Sequence, residues 1–302
     1  HQLRTLLKSF SPWRNISVYM LHIVERGRAM TYVGENAGAL AANLRTLCDQ
    51  HGSVAAVCRR IKVNRQQFNK YLSGAHVPSA ANLRIIANYF GLSVPILFSD
   101  PDEFRTLADG NFFHAMSTAR QLPEFSSFIS NMIVENNSQD NEIAGIYDRY
   151  QFSSIYKGFI LKSALCIYRN REFLQHYYVE RFPSFDAPQK TEYIFKYYGF
   201  CFPLADRLFT ADFEGIQCNE LTFGVYAQVK RNAKRFMFGI ASGIAANVFR
   251  QPYATKVALH YRGPGLLRRE HLKQLTVMDR NDPAIPREAL QYLGDGSDMI
   301  QM

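Results

Sequence analysis

The stretch from Ser53 to Gly74 constrains the fold of this chain most, because it specifies two short helices and the connection between them. In its first half apolar side chains recur at helical spacing, at Val54, Val57, Cys58 and Ile61. The tripeptide Lys62-Val63-Asn64 follows. Ser53 and Asn64 precede the two helices and are residue types that cap helix N-termini. The second half is polar apart from an apolar face formed by Phe68, Tyr71 and Leu72. This pattern predicts two helices that pack through their apolar faces and meet at a tight turn.

The flanking sequence predicts three more short helices. Leucines three or four residues apart mark the first of them, between Ala39 and Gln50. Pro78-Ser79 leads into another, from Ala81 to Phe90, and Val94 to Phe98 forms a short fifth helix or turn. Together these segments predict an all-α domain of five helices at residues 36–99.

The residues that carry a family resemblance are Val57-Cys58-x-x-Ile61-x-Val63, Asn64-Arg65-Gln66-Gln67, Phe68-x-x-Tyr71, Ser73-Gly74-x-x-x-Pro78-Ser79, Leu83-x-x-Ile86-Ala87 and Phe90-Gly91-Leu92-Ser93. In order and spacing they resemble the lambda-repressor-like, or XRE-type, helix-turn-helix domain, over about one fifth of the chain. Val54 stands where the family often has Gln, which leaves one phosphate or base contact without its usual residue. Lys62 stands where the family usually has Gly, which predicts a changed turn and adds a positive charge.

The resemblance implies that the helix beginning after Asn64 reads base edges in the major groove of DNA. Arg65 can bond guanine bidentately, and Gln66 or Gln67 can pair with adenine. The residues implied in base contact are Arg65, Gln66, Gln67 and Asn69. The residues implied in phosphate contact, near helix ends, are Ser53, Asn64, Lys70, Ser73 and His76. The alternative interpretation is a polar surface helix in a protein-binding module.

The charge distribution favours a polyanionic partner. Between Ala39 and Ser99 the chain has seven basic residues and a single acidic residue, Asp49, so this segment carries most of the net charge of +9. A positive field concentrated on one small domain attracts nucleic acid. A solvated basic surface without a partner is the alternative interpretation.

Length and cysteine usage set the wider frame. A chain of 302 residues favours about two domains. The five cysteines are widely spaced and contain no Cys-x-x-Cys pair, which indicates reduced thiols and a cytoplasmic, nucleoid-associated protein. No run of about 18 apolar residues is present, so no membrane-spanning helix is expected. We expect residues 1–35 to be an N-terminal extension outside the fold, in part a remnant of cloning.

The remainder of the chain has a different pattern. Residues 100–142 contain short helix candidates and end in a polar stretch, so we interpret them as a helical linker. In residues 143–302 the apolar positions recur with a period close to two, as from Phe159 to Ile167, which is typical of strands. Segments 266–275 and 286–292 have helical spacing. The predicted class is therefore α+β, with a five-helix domain followed by a mostly antiparallel β-rich domain with terminal helices.

Tyrosines crowd the predicted sheet. They are Tyr156, Tyr168, Tyr177, Tyr178, Tyr193, Tyr197, Tyr198, Tyr226 and Tyr261. One interpretation is strand propensity and core packing. The other is a cavity lined by aromatic rings with hydroxyl groups, which would hold a small-molecule effector.

Enzymatic alternatives have weaker support. Ala144-Gly145 lies where phage-type repressors cleave themselves with a Ser–Lys dyad, for which Ser163 with Lys196 or Lys230 are the candidates. The serine neighbourhood of that protease family is missing from the sequence. The histidines and later cysteines lack the spacing of metal ligands. We therefore predict no enzyme, no catalytic residue, no metal and no cofactor.

These patterns together predict a sequence-specific transcriptional regulator that binds double-stranded operator DNA. A single domain of this size reads few base pairs, so we expect a homodimer on two half-sites, with the contact supplied by residues 143–302 or by the linker. The alternatives are a self-cleaving phage-type repressor, a DNA-targeted enzyme with catalysis in the C-terminal domain, and an antitoxin-like partner binder.

Overall fold

The chain divides into two compact units at the boundary between Pro101 and Asp102. The first unit is helical, and the second is dominated by antiparallel strands. The predictions for residues 1–35 and for residues 109–142 lie outside the described part of the chain. Across the described part, no helix is long and apolar enough to span a membrane. The structure, a computed structural model, describes residues 37–50, 53–108, 143–170, 173–184, 190–204, 206–215, 220–228, 236–244, 250–297 and 300–301.

Helices of the first unit pack around one apolar core. Each helix contributes a fully buried side chain to it, including Leu44, Val57, Phe68, Ile86 and Leu97. Burying side chains of this size is the main source of stability for so small a unit. The helices are α1 (Ala37–Gln50), α2 (Val54–Ile61), α3 (Arg65–Leu72), α4 (Ala80–Tyr89) and α5 (Val94–Leu97).

Side-chain caps define where these helices start. The Ser53 hydroxyl oxygen accepts a hydrogen bond from the Ala56 amide at 3.2 Å. The Asn64 side-chain oxygen accepts from the Gln66 amide at 2.7 Å. Caps of this kind contribute about 1 kcal/mol each. The predicted N-cap roles of Ser53 and Asn64 are thus confirmed.

The turn between α2 and α3 is formed without glycine. Lys62 ends α2 in the left-handed conformation, with φ 56° and ψ 36°, and the amides of Lys62 and Val63 both donate to the Cys58 carbonyl. This is the conformation that glycine adopts readily and that costs other residues about 1–2 kcal/mol. The expectation of a changed turn was therefore wrong, because the lysine backbone accepts the strain instead.

A buried asparagine joins the first helix to the end of the unit. The Asn43 amide nitrogen donates to the carbonyls of Leu97, at 3.0 Å, and Ser99, at 2.7 Å. Free carbonyls at a helix C-terminus need such partners when they are buried. The sequence pattern gave no indication of this contact, because it joins residues more than 50 positions apart.

The second unit is a closed antiparallel barrel of eight strands. Each strand pairs with its neighbours in the chain, and β8 pairs with β1 to close the barrel. The strands are β1 (Gly145–Phe152), β2 (Ile160–Asn170), β3 (Phe173–Pro183), β4 (Thr191–Leu204), β5 (Arg207–Glu214), β6 (Leu221–Gln228), β7 (Phe236–Ile244) and β8 (Pro252–Gly263).

Short elements complete this unit. They are α6 (Pro101–Ala108), α7 (Arg269–Leu272), β9 (Thr276–Met278), α8 (Arg287–Leu293) and β10 (Ile300–Gln301). β9 pairs with β2, and β10 pairs with β8. On α6, the Thr106 hydroxyl donates to the Leu267 carbonyl at 2.7 Å. Ala289 and Leu293 of α8 pack on Ala258 of β8.

The predicted antiparallel β-rich architecture is confirmed. The sequence patterns did not predict that the sheet closes into a full barrel. Three strands, β1, β4 and β5, were not predicted. For β1 the reason is that both faces of a barrel strand can be covered, so that the alternation of polarity is lost. All eight residues of β1 are buried. The helix predicted at 266–275 was wrong apart from the single turn of α7. The helix predicted at 286–292 is confirmed as α8.

Candidate functional site

One face of α3 is polar and exposed. Its opposite face is anchored by Phe68 and Tyr71, which are buried and packed edge to face at 6.1 Å. The Tyr71 hydroxyl also accepts a hydrogen bond from the Asn82 side chain of α4 at 3.1 Å. The helix is therefore held on one side and free on the other. The side chains on its exposed surface are Arg65, Gln66, Gln67, Asn69 and Lys70.

The structure brings the base-contact candidates together as the pattern predicts. Gln66, Asn69 and Lys70 lie about 100° or less apart around the helix axis, on the side opposite the buried ring of Phe68. Arg65 and Asn69 are four positions apart and so lie one above the other on the same face. Such a face presents donors and acceptors to a groove while the core holds the helix orientation.

The phosphate-contact candidates lie at the ends of these helices. Ser53, Asn64, Ser73 and His76 are all exposed. Three of their side chains are also used locally, because Ser53 and Asn64 cap helices and the Ser73 hydroxyl donates to the Lys70 carbonyl at 3.1 Å. The cap oxygens are thus occupied as acceptors, whereas the Ser53 hydroxyl and the Asn64 amide nitrogen keep their donor capacity.

Exposed basic side chains lie on α3, in the turn before it and on three other helices of the unit. None of them forms a salt bridge with a residue in the described ranges, so the positive charge is not neutralised locally. Lys62 is exposed in the turn immediately before α3. All seven basic residues of the segment are exposed: Arg45, Arg59, Arg60, Lys62, Arg65, Lys70 and Arg84.

The barrel interior is a second candidate site, and it is unusually polar. Side chains alternate along each strand between the interior and the outer wall. Tyr178, Tyr197 and Tyr226 face the interior, in one buried cluster with Leu165 and Val257. A Cβ atom at Gly224 or Gly239 would lie 2.7 Å from the Tyr226 ring, so these two glycines make room for it.

The other tyrosines named from the sequence have different positions. Tyr177 and Tyr198 stack on each other at 6.1 Å, and the Tyr177 hydroxyl accepts from the Leu267 amide at 3.0 Å on the outer wall. Tyr193 is half exposed. Core packing therefore accounts for the tyrosines on the outer wall. For the tyrosines that face the interior, both core packing and a ligand cavity stay open as interpretations.

A chain of polar contacts crosses the interior, and the sequence pattern did not reveal it. The Cys201 thiol lies 3.3 Å from Nδ1 of His176. Nε2 of the same ring lies 3.1 Å from the Asp212 carboxylate, to which the Tyr178 hydroxyl also donates at 3.1 Å. These residues come from β3, β4 and β5, so only the strand register brings them together.

This order of thiol, imidazole and carboxylate is that of a nucleophile with its base and orienting group. The thiol, however, is only 4% exposed and packs among Ile167, Leu174 and Leu208. Buried apolar surroundings are typical of an inert structural thiol. The contacts are better explained as a network that satisfies buried polar groups.

A buried ion pair lies on the neighbouring strands. Arg149 contacts Glu180 at 3.1 Å, and its guanidinium carbon lies 4.7 Å from the centre of the Tyr178 ring. Burial raises the pKa of Glu180 to about 7, because loss of hydration outweighs the attraction of Arg149. Glu220 accepts from the Tyr197 hydroxyl at 2.9 Å, and burial raises its pKa as well.

Two interior polar atoms lack a hydrogen-bond partner within the described ranges. They are Nε of Arg149 and Oε1 of Gln151, two residues apart on the inward face of β1. An unpaired buried polar atom costs about 1–3 kcal/mol. The interior of an eight-stranded barrel is wide enough for its side chains or for one small ligand. The pair thus leaves one donor and one acceptor of the interior unused within the described part of the chain.

Of the residues considered for self-cleavage, Ser163 and Lys196 do not form a dyad, because they lie on opposite faces of the barrel wall. Ser163 is fully buried in the interior, where its hydroxyl lies 3.4 Å from the Arg149 carbonyl. Lys196 is next to the inward-facing Tyr197, so strand alternation directs it to the outer wall. Gly145 of the candidate dipeptide is buried in β1. Lys230 lies outside the described part of the chain.

No group of three metal-binding side chains is found within the described ranges. Both nitrogens of His176 have protein partners, Cys201 on one side and Asp212 on the other. Comparison with known proteins finds no matching family model, no similar curated protein and no similar solved structure.

Proposed function

We propose that this protein is a sequence-specific DNA-binding regulator of the helix-turn-helix type, in which α3 enters the major groove of operator DNA. The observation that carries the proposal is the exposed row of Arg65, Gln66, Gln67, Asn69 and Lys70 opposite a buried Phe68 and Tyr71. A polar helix face held rigidly from behind suits base readout. The uncompensated basic charge around it supports the same partner.

Each residue has a distinct role in this proposal. Arg65, in the first turn of α3, offers two parallel donors to guanine, and Gln66 and Gln67 each offer a donor and an acceptor to adenine. Lys70 carries its charge to the edge of the groove and contacts phosphate. The amides at the starts of α2 and α3, with Ser53 and Asn64, meet phosphates on either side of the groove. Base contacts then set the sequence, and phosphate contacts set the register.

Two variants separate these roles. We expect Arg65→Ala to relax selectivity at one operator position and to cost about 1–3 kcal/mol on the preferred sequence. We expect Lys70→Ala to weaken binding to all duplexes alike and to lower the slope of log affinity against log salt by about one. Selection of bound duplexes from a random pool, followed by affinity measurements at several salt concentrations, tests both. Unchanged sequence preference in Arg65→Ala would contradict the proposal.

We also infer that the barrel senses a small polar ligand. The supporting observation is the unpaired Arg149 Nε and Gln151 Oε1 in a polar interior. Gln151→Leu removes the unpaired acceptor with little change of volume, so without ligand the thermal midpoint should stay equal or rise. A screen of small polar metabolites by thermal shift should find a compound that stabilises the native chain and not this variant. A marked loss of stability in ligand-free Gln151→Leu would show that the side chain is structural.

A further inference from the structure

Among the described residues, two sectors of the outer wall of the barrel are covered by other elements, and a sector over β5 to β7 is not. Over β2 to β4, Tyr177 and Tyr198 lie beneath α6, whose Phe104 and Leu107 are fully buried. Over β1, β7 and β8, Tyr150 and Phe236 lie beneath α8 and the segment before it. Covering a sheet face in this way is how an apolar wall is removed from water.

The third sector, over β5, β6 and the adjoining part of β7, stays exposed. Phe223 is 53% exposed and Ile240 56%, although both are large and apolar. Cross-strand register makes the sector continuous, since Phe213 pairs with Leu221 and Val225 pairs with both Phe209 and Ile240. We define the bare sector by these residues together with Ala211, which pairs with Phe223.

The seven residues of the bare sector are uncharged, and within the described ranges charged side chains lie only at its edge, where Lys256 pairs with Ile240 and Arg207 begins β5. The sector's five most exposed side chains, Phe213, Leu221, Phe223, Val225 and Ile240, leave on the order of 450 Å² of apolar surface in contact with solvent. The largest apolar patch on a typical monomer is of about this size and is often functional. With a rim of neighbouring polar residues, such a patch forms the core of a standard interface of about 800 Å² per partner.

We propose that the bare sector is the contact between two copies of this chain, related by a two-fold axis that packs β6 of one copy on β6 of the other. This rests on the proposed function, because two half-sites require two copies. A partner recognised by its charge would need charged side chains within the sector, and none of the seven residues of the sector is charged. A second copy presents the same uncharged apolar surface, and two sheet faces pack well at about 10 Å.

The test is the oligomeric state of the full chain. We expect the native chain to sediment as a dimer at micromolar concentration, and Phe223→Lys to raise the dimer dissociation constant at least ~100-fold. Phe223 is more than half exposed, so the lysine can reach water in the monomer. Phe159→Lys is the matched control, because Phe159 is 42% exposed in the connection between β1 and β2, outside the sector. It should leave the dimer unchanged.

Val225→Lys provides a second variant in case Phe223→Lys does not fold. A native chain that is monomeric at ~50 µM overturns the proposal, as does a dimer that survives both lysine substitutions. A monomer whose bare sector is protected from hydroxyl-radical labelling would also overturn the proposal, because another part of the same chain would then cover the sector. Binding of an isolated half-site separates this proposal from the proposed function. The monomeric Phe223→Lys variant should still select the half-site sequence. A native chain that forms the dimer but shows no sequence selectivity would contradict the proposed DNA-binding function and leave the dimer proposal standing.

Discussion

The two units of this protein distribute polar and apolar side chains in opposite ways. In the helical unit the candidate functional side chains, such as Arg65 and Gln66, face water and the apolar ones form the core. In the barrel, charged side chains such as Arg149 and Glu180 are buried inside, while Phe223 and Ile240 are exposed on the wall. A helix that reads DNA needs only local structure to expose its site. Burial of polar groups inside a barrel costs free energy of folding. That cost is offset only where the groups form hydrogen bonds with one another or with a ligand.

The largest effect that tests this contrast is expected from Arg149→Met. The substitution leaves the Glu180 carboxylate buried without its cation, and breaking a buried pair in this way costs about 3–5 kcal/mol. We expect the free energy of unfolding of the barrel to fall accordingly, as measured by urea titration with near-ultraviolet circular dichroism of its tyrosines. The double variant Arg149→Met/Glu180→Leu is the control, because two apolar replacements are often nearly neutral. Equal losses in the single and double variants would mean that the two charges are not coupled.

The pH dependence of the barrel gives the next largest effect. The folded pKa of Glu180 is raised to about 7, above the value of 4.5 for a free carboxyl, so the folded state holds this proton more tightly than the unfolded state does. Stability from this group is therefore fully present below pH 4.5 and is lost as pH rises through about 7. We expect the native barrel to lose about 3 kcal/mol relative to Glu180→Gln across that interval. If the free energy of unfolding changed with pH in the same way in the native protein and in Glu180→Gln, this prediction would be contradicted.

A smaller loss is expected in the helical unit from Asn43→Ala. The substitution leaves the carbonyls of Leu97 and Ser99 without a buried donor, which should cost about 1–3 kcal/mol. Thermal unfolding followed by far-ultraviolet circular dichroism measures it. Asn69→Ala is the matched control, because Asn69 is exposed on α3. It should change DNA binding and leave stability within about 0.5 kcal/mol.

The smallest predicted effect has the opposite sign. Lys62→Gly relieves a left-handed backbone at the end of α2, and part of that gain is offset by the greater freedom of glycine in the unfolded chain. We expect a net stabilisation of about 0.5–1 kcal/mol in chemical denaturation. A loss of stability would indicate that the lysine side chain makes contacts that offset the strain.

The residues differ in how far sequence patterns could predict them. Ser53, Asn64, Phe68 and Tyr71 were predicted with their cap or core positions, because capping and helical spacing involve neighbours within four residues. Cys201, His176 and Asp212 were not grouped, since their contacts depend on the register of three strands. Strand alternation predicts which side chains share a face of the sheet. It does not predict which of the two faces becomes the interior of a barrel.

The linear order of residues was sufficient for the helices from α1 to α5 and for the polar face of α3, because hydrogen bonds and periodicity within a helix are local. The closure of β1 on β8 joins Tyr147 to Tyr261, more than 100 residues along the chain. That closure determines that Arg149 is inside and Phe223 outside. No local rule contains this information, since the same alternation would suit an open sheet, and the burial of each face is settled only when the last strand meets the first.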